Sequence, residues 1–331
     1  MPSVNAAAIG FLILTLSIIY LDIMLKSSSV QATAGGGDPV SSFNFAAVGD
    51  WGCTQDAQDT LNNIIKKDPE LVIGLGDYSY NTTADCWLDI TEQINDRMKI
   101  AIGNHEHIIY RPTFGNGSYM SPSLLSEYMR HFSLTDQYYS FDYQNVHFLV
   151  MSSEVPFDIG SEQYDFVKDD LEKASTNSSI RWIVANFHRP IYTAPDEHLP
   201  NVSFRDIYHP IFDQYGVDLV LQGHVHNYQR SYPLEYNPSD SSNPIVTTNE
   251  KTNYAEPQAP IFVIVGTGGV GFSQLSNRSS FNVYQTVGSY GFLNIDITND
   301  GMTMKATFYT NEDDKDNSRT IKDQFAINKI K

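Results

Sequence analysis

The stretch FNFAAVGDWG, Phe43 to Gly52, sets an apolar run directly against a Gly-Asp pair. The run reads as a buried strand that delivers the carboxylate of Asp50 at its downstream end. The same arrangement returns along the chain. Leu71 to Leu75 runs into Gly76-Asp77-Tyr78-Ser79-Tyr80, and Lys99 to Ile102 into Gly103-Asn104-His105-Glu106. Ile180 to Phe187 runs into His188, and Val217 to Leu221 into Gly223-His224-Val225-His226. In each Gly-Asp pair the missing glycine side chain is expected to let the backbone turn sharply and aim the carboxylate. Between the first two strands, Gln55 to Lys67 carries Ala57, Leu61, Ile64 and Ile65 at helical spacing. Strands alternating with helices predict a parallel or mixed sheet with helices outside, and groups at the strand ends of such a sheet converge on one crevice.

Further helices are expected from Ser121-Pro122 onward and over Ser161 to Ala174, with a buried strand over Val146 to Met151. From Ile261 the pattern shifts to strands expected to pair largely antiparallel: Ile261 to Val265, Leu293 to Ile297 and Met302 to Phe308. Asn299-Asp300-Gly301 reads as the hairpin turn between the last two. Pro233 to Pro260 is polar and rich in Pro and Asn, and reads as a surface excursion at the rim of the site.

A chain of 331 residues, 41% hydrophobic and 12% aromatic, buries a sizeable core, and one large domain is the simplest reading. The formal charge of −18 argues against a nucleic-acid surface, which needs clustered Lys and Arg. Residues 1–34 read as a signal peptide or N-terminal membrane anchor, from the apolar run Ala6 to Leu21 and the small-residue pattern Ala32-Thr33-Ala34. Residues 35–42 read as a linker and 43–331 as the folded domain. The protein is therefore expected to be secreted or on the extracellular face of the cell membrane, touching the membrane only through an uncleaved N-terminal segment. Cys53 and Cys86 follow the first two motifs closely, and in an exported chain they are expected to pair. Sequons at Asn81, Asn116, Asn177, Asn201 and Asn277 suit a glycosylated exterior.

Carboxylate, carboxamide and imidazole groups bind hard and borderline metal ions, so Asp50, Asp77, Asn104, His188, His224 and His226 together predict a bridged pair of ions. Tyr80 adds a restriction, because a phenolate favours a hard, highly charged ion such as Fe(III). In Gly-His-Val-His an extended segment projects both imidazoles to the same side, whereas a bent loop directs them to neighbouring ions. His198, in the polar loop after His188, reads either as a substrate contact or as an exposed histidine.

From about Phe43 to Phe308 these motifs resemble the calcineurin-like metallophosphoesterases, and within them the purple acid phosphatases. Many members of that superfamily open with Asp-x-His. Here Asp50-Trp51-Gly52 lacks the histidine and Tyr80 stands three residues after Asp77, the exchange that marks the purple acid phosphatases. The runs His188-Arg189-Pro190-Ile191-Tyr192 and Gly223 to Arg230 resemble plant-type members, although Gln229 stands where glutamate is commoner. The spacing from Val184 to His188 is also one residue longer than the usual Val-x-x-His. The extra N-terminal β-domain of the plant enzymes is not expected in this chain.

The resemblance implies a four-layer αββα sandwich of two mixed sheets. It implies an acid phosphatase acting on a small phosphomonoester at acidic to neutral pH. Asp50, Asp77, Tyr80 and His226 would bind Fe(III), and Asn104, His188 and His224 a divalent Fe, Zn or Mn, with Asp77 bridging. A bound water acidified by the two charges would serve as the hydroxide nucleophile. His105 would be no ligand but a catalytic group, contacting phosphate or protonating the leaving alcohol. Glu106 is expected either to orient His105 or to be solvated at the surface. If Tyr80 only packs beside the site, a di-Mn or di-Zn phosphodiesterase or nucleotide phosphatase of the same fold is the alternative. A non-catalytic cell-surface binding protein is opposed by the full ligand set.

Overall fold

Thr54 starts the first helix, Gln55–Lys67, by accepting from the Ala57 N–H, and Asp68 ends it in the left-handed conformation, with Lys66 and Lys67 in the last turn. Its apolar stripe, Ala57, Leu61 and Ile64, is fully buried. The helix packs on strands Gly291–Thr298 and Thr303–Asp313, where Asn311 Nδ2 donates to Thr60 Oγ1 at 2.7 Å. The computed structural model describes residues 42–110, 118–120, 122–194, 198–275, 277–313 and 319–330. The expected signal segment, the linker up to residue 41 and the Asn116 sequon lie outside them.

Two mixed sheets face each other. The first has seven strands among the described residues, ordered Asn253–Ala255, Arg319–Asn328, Thr303–Asp313, Gly291–Thr298, Phe43–Val48, Leu71–Gly74 and Met98–Ile100. Phe43–Val48 pairs parallel with Leu71–Gly74 and antiparallel with Gly291–Thr298. The second runs Ile245–Val246, Tyr228–Glu235, Ile261–Val265, Leu219–Gln222, Trp182–Asn186, Val146–Val150 and Tyr139–Tyr143, with Asn282–Thr286 also pairing on Tyr228–Glu235. Side chains alternate between two cores. Phe148, Trp182, Val184 and Leu221 of the second sheet join Phe45, Leu293 and Phe308 of the first in the core between the sheets. Leu149, Ile183, Ala185 and Val220 point the other way, onto helices Glu162–Thr176 and Val202–Tyr215 through Val167, Leu171, Phe204, Tyr208 and Phe212. The result is the four-layer αββα sandwich.

Aromatic and ionic contacts tie the sheets to each other. Tyr228 stacks on Phe308 at a centroid separation of 4.1 Å, and Phe45 meets Phe148 edge-on at 5.0 Å. Beside them Asp323 holds Arg230 through both carboxylate oxygens, at 2.6 and 2.9 Å.

Several expectations shift. Ile261–Val265 pairs parallel with Leu219–Gln222 on one side and antiparallel with Tyr228–Glu235 on the other, so this strand is mixed, whereas Gly291–Thr298 and Thr303–Asp313 pair antiparallel as expected. The excursion after Pro233 is less bare than its composition suggests. Strand Tyr228–Glu235 extends into it, and two short strands, Ile245–Val246 and Asn253–Ala255, lie within it. Helix Val202–Tyr215 is legible only in the spacing of Phe204, Tyr208 and Phe212, because Pro210 inside it masks the pattern. Its end at Gly216, φ 69°, delays the next strand to Leu219. Asn299, Asp300 and Gly301 all take left-handed backbone, as a tight connection between antiparallel strands requires.

At the edge of the second sheet, His147 joins a strand to a helix, with Nδ1 2.7 Å from Asp142 Oδ1 and Nε2 2.8 Å from Asp170 Oδ2. Burial opposes its charging, yet the two carboxylates prevail and raise its pKa above the usual imidazole value. A group whose folded pKa is raised stabilises fully below its unfolded pKa and loses that contribution as pH rises through the folded value. Urea unfolding of His147→Gln should therefore show a loss of about 2 kcal/mol at pH 5. The loss should shrink as pH rises toward 9, and a constant or growing loss would contradict the charged bridge.

Candidate metal centre

Asp50, Asp77, Tyr80 and His224 all take left-handed backbone, with φ of 59°, 56°, 52° and 68°. Non-glycine residues pay for this conformation, and such outliers persist where surrounding structure over-determines them. The turn after Gly49 is thus made by Asp50 itself, which corrects the expectation that glycine supplies it. At the second motif Gly76, φ 88°, and Asp77 share the turn. Gly103 serves close approach instead: a Cβ there would sit 2.3 Å from Asp77 Oδ1.

The expected site residues come together as two clusters that meet at one carboxylate. In the first, Tyr80 Oη lies 3.0 Å from Asp50 Oδ1, 3.3 Å from Asp77 Oδ2 and 2.9 Å from His226 Nε2. In the second, His188 Nε2 lies 3.2 Å from Asn104 Oδ1, 3.2 Å from His224 Nδ1 and 3.1 Å from Asp77 Oδ2. Asp77, His188 and His224 place ligand atoms within 4.8 Å of one another. His188 donates from Nδ1 to the Leu75 carbonyl at 2.8 Å, which fixes its ring and keeps Nε2 turned inward. Gly223 to Asn227 is bent rather than extended, with Val225 N–H on Gly223 O and Asn227 N–H on Val225 O, so His224 and His226 face different clusters. Oxygen and nitrogen donors this close repel unless protons or cations lie between them, and the donor set fits two adjacent ions sharing Asp77.

The charges respond accordingly. Burial would raise the Asp77 pKa, but His188 and His105 hold it below the usual carboxylate range. Burial opposes charge on His188 as well, yet Asp77 and Asp50 push it up to about 10. His224 is driven down to about 2 by burial, His188 and Arg189. Burial, then the Asp50 and Asp77 charges, hold the Tyr80 phenol well above its usual value.

Glu106 does neither of the things expected of it. It is 1% exposed, and its carboxylate accepts from Asp77 N–H and Tyr78 N–H at 2.9 Å and from Gly103 N–H at 2.8 Å. It staples the second metal loop to the third. Burial and the Asp77 charge push its pKa up to about 8 against those donors. Cys53 and Cys86 form a disulfide, which ties the Asp50 loop to the helix that follows Tyr80. His105 stacks on Tyr80 at 4.1 Å, and its backbone N–H donates to Asp77 Oδ1 at 2.8 Å.

His198 belongs at the site, with its ring centroid 4.8 Å from that of His224 and 5.8 Å from that of His226. Sequence reasoning assigned no part to Arg189 and Glu154. Arg189 Nε donates to Glu154 Oε1 at 2.7 Å, and its Nη1 lies 3.3 Å from His224 Nε2. The signal for Arg189 was its place beside His188, whereas Glu154 follows an ordinary strand end with no motif around it.

The calcineurin-like phosphoesterase family model matches residues 43–228. Among curated proteins the chain is similar to purple acid phosphatase 15 of Arabidopsis thaliana, 27% identical over 68% of this chain and 44% of that protein. It is also similar to phosphoenolpyruvate phosphatase of Allium cepa, 29% identical over 70% of this chain and 50% of that protein. The chain thus spans about half the length of the curated relatives it matches. Among solved structures, purple acid phosphatase from yellow lupin seeds (Lupinus luteus) superposes with a TM-score of 0.67 and 22% identity, covering 87% of this chain and 54% of that one.

Glu106→Gln keeps the shape but turns an N–H donor toward backbone N–H groups. Thermal or denaturant unfolding should show a loss of about 2 kcal/mol, with weakened metal retention on dialysis. Unchanged stability and metal content would mean that the staple is dispensable.

Proposed function

We propose that the chain, which belongs to the calcineurin-like phosphoesterase family, is a binuclear-metal acid phosphatase acting on phosphomonoesters. The observation that carries this reading is the pair of donor clusters meeting at Asp77, one of which contains a phenol. Asp50, Asp77, Tyr80 and His226 would hold Fe(III), and Asn104, His188 and His224, with Asp77 shared, a divalent Fe, Zn or Mn. When bound, such ions supply Lewis acidity toward phosphoryl oxygens and acidify a water for attack. The phenol favours iron. Burial and two carboxylates keep Tyr80 protonated, and a highly charged cation in its cluster outweighs both.

The chain's own groups hold and orient. His188 turns Nε2 toward the two clusters because Nδ1–H is committed to Leu75. Asp77 Oδ1 is fixed by the His105 backbone, which leaves Oδ2 to the two clusters. His105 would donate the proton to the leaving alcohol. Its side chain is 26% exposed, and burial lowers its pKa despite Asp77, which makes its imidazolium a stronger acid. His198, across the site beside His224, would contact substrate oxygens.

Export fits a chain with a disulfide, which persists in oxidising compartments. The sequon residues Asn81, Asn177 and Asn277 are exposed. No helix among the described residues is long and apolar enough to cross a membrane. We assign residues 1–34 to the export segment and 43–331 to the phosphoesterase domain.

His105→Ala tests the mechanism. Metal content measured by atomic emission should stay near that of the wild type, while kcat for p-nitrophenyl phosphate falls on the order of 10²–10⁴-fold. Retained activity removes the proton-donor role, and loss of metal moves His105 into the structural frame of the centre.

A further inference from the structure

A buried arginine whose counter-ion, among the described residues, is one long carboxylate contact lies beside the proposed centre. Arg205, on helix Val202–Tyr215, is 1% exposed, and among the described residues its carboxylate partner is Asp206, whose Oδ1 lies 3.4 Å from Nε. Its other partners among the described residues are neutral. Nη2 donates to Ser241 Oγ at 2.9 Å and Ser242 Oγ at 3.3 Å, and Nη1 to the Ile191 carbonyl at 3.4 Å. Arg230, equally buried, is clasped by both oxygens of Asp323 at 2.6 and 2.9 Å. Burying a charge costs heavily unless it is well paired, and the long Asp206 contact leaves most of the Arg205 guanidinium on neutral groups.

Arg205 lines a cavity of about 460 Å³ whose walls include Tyr192, Phe281 and the hydroxyls of Thr193 and Ser280, with His198 among them. None of its described lining residues is acidic. His198 also meets His224 edge-on, with ring centroids 4.8 Å apart, so the cavity adjoins the proposed centre. We propose that this cavity is the leaving-group subsite and that Arg205 anchors an anion there. It would select phosphomonoesters whose alcohol carries a second anionic group, a carboxylate or another phosphate. This rests on the phosphomonoesterase reading above. Both anions present paired oxygens to a planar guanidinium, and charge-assisted bonds of that kind are roughly twice as strong as neutral ones. The exposed Ser242 is the partner such an anion displaces.

The test compares kcat/KM of the metal-loaded protein for matched pairs: 3-phosphoglycerate against glycerol 3-phosphate, and fructose 1,6-bisphosphate against fructose 1-phosphate. The anionic member of at least one pair should be preferred by about tenfold or more, and which pair shows it names the anion. In Arg205→Gln, and in Ser242→Asp, whose exposed position spares the fold, the ratio should fall to about one. A wild-type ratio near one, or a ratio that both variants preserve, overturns the subsite and leaves the phosphatase reading standing. If the wild type hydrolyses neither these esters nor p-nitrophenyl phosphate, the phosphatase reading fails. Calorimetry with the same pairs then decides the subsite: tighter binding of 3-phosphoglycerate than glycerol 3-phosphate, lost in Ser242→Asp, supports it, and equal binding overturns it.

Discussion

Asp77 is a carboxylate buried just beyond a strand end, 1% exposed, with one oxygen in contact with both Tyr80 and His188. A charge in such a place must be answered by positive charge or by donors. One oxygen is answered by the His105 N–H, and the other faces imidazole and phenol. Much of the local architecture serves to hold that second oxygen where two cations can share it.

The frame is built against resistance. Four site residues sit in left-handed backbone, and the loop at Gly103 approaches Asp77 too closely for any side chain. Glu106 gathers three backbone N–H groups from both loops, and a disulfide closes the flank. These restraints act on the backbone. The donor groups are therefore held in place by the backbone itself, and preorganisation of this kind would remove reorganisation from a chemical step.

The sequence made legible what repeats and what is local. Strand-end motifs picked out the seven residues that the fold brings together, because an apolar run followed by a polar turn is a local signal. Helix Gln55–Lys67 and strand Ile261–Val265 were readable to the residue. Helix Val202–Tyr215 was obscured by an internal proline, and the parallel partner of Ile261–Val265 is a long-range choice that periodicity cannot encode. Glu106 was misread because burial of a charged residue depends on which backbone amides converge on it, a property of two loops and not of one motif. Arg205 and Glu154 share that difficulty: their meaning lies in partners far along the chain.

The visible absorption spectrum of the purified protein loaded with Fe(III) and a divalent ion, recorded beside Tyr80→Phe, tests the account most directly. A broad tyrosinate-to-iron band in the wild type that is absent from the variant is the predicted result, because only ionisation of Tyr80 onto iron creates it. A colourless wild-type protein that binds two ions and hydrolyses phosphomonoesters would contradict the iron assignment and leave a di-Mn or di-Zn centre in its place.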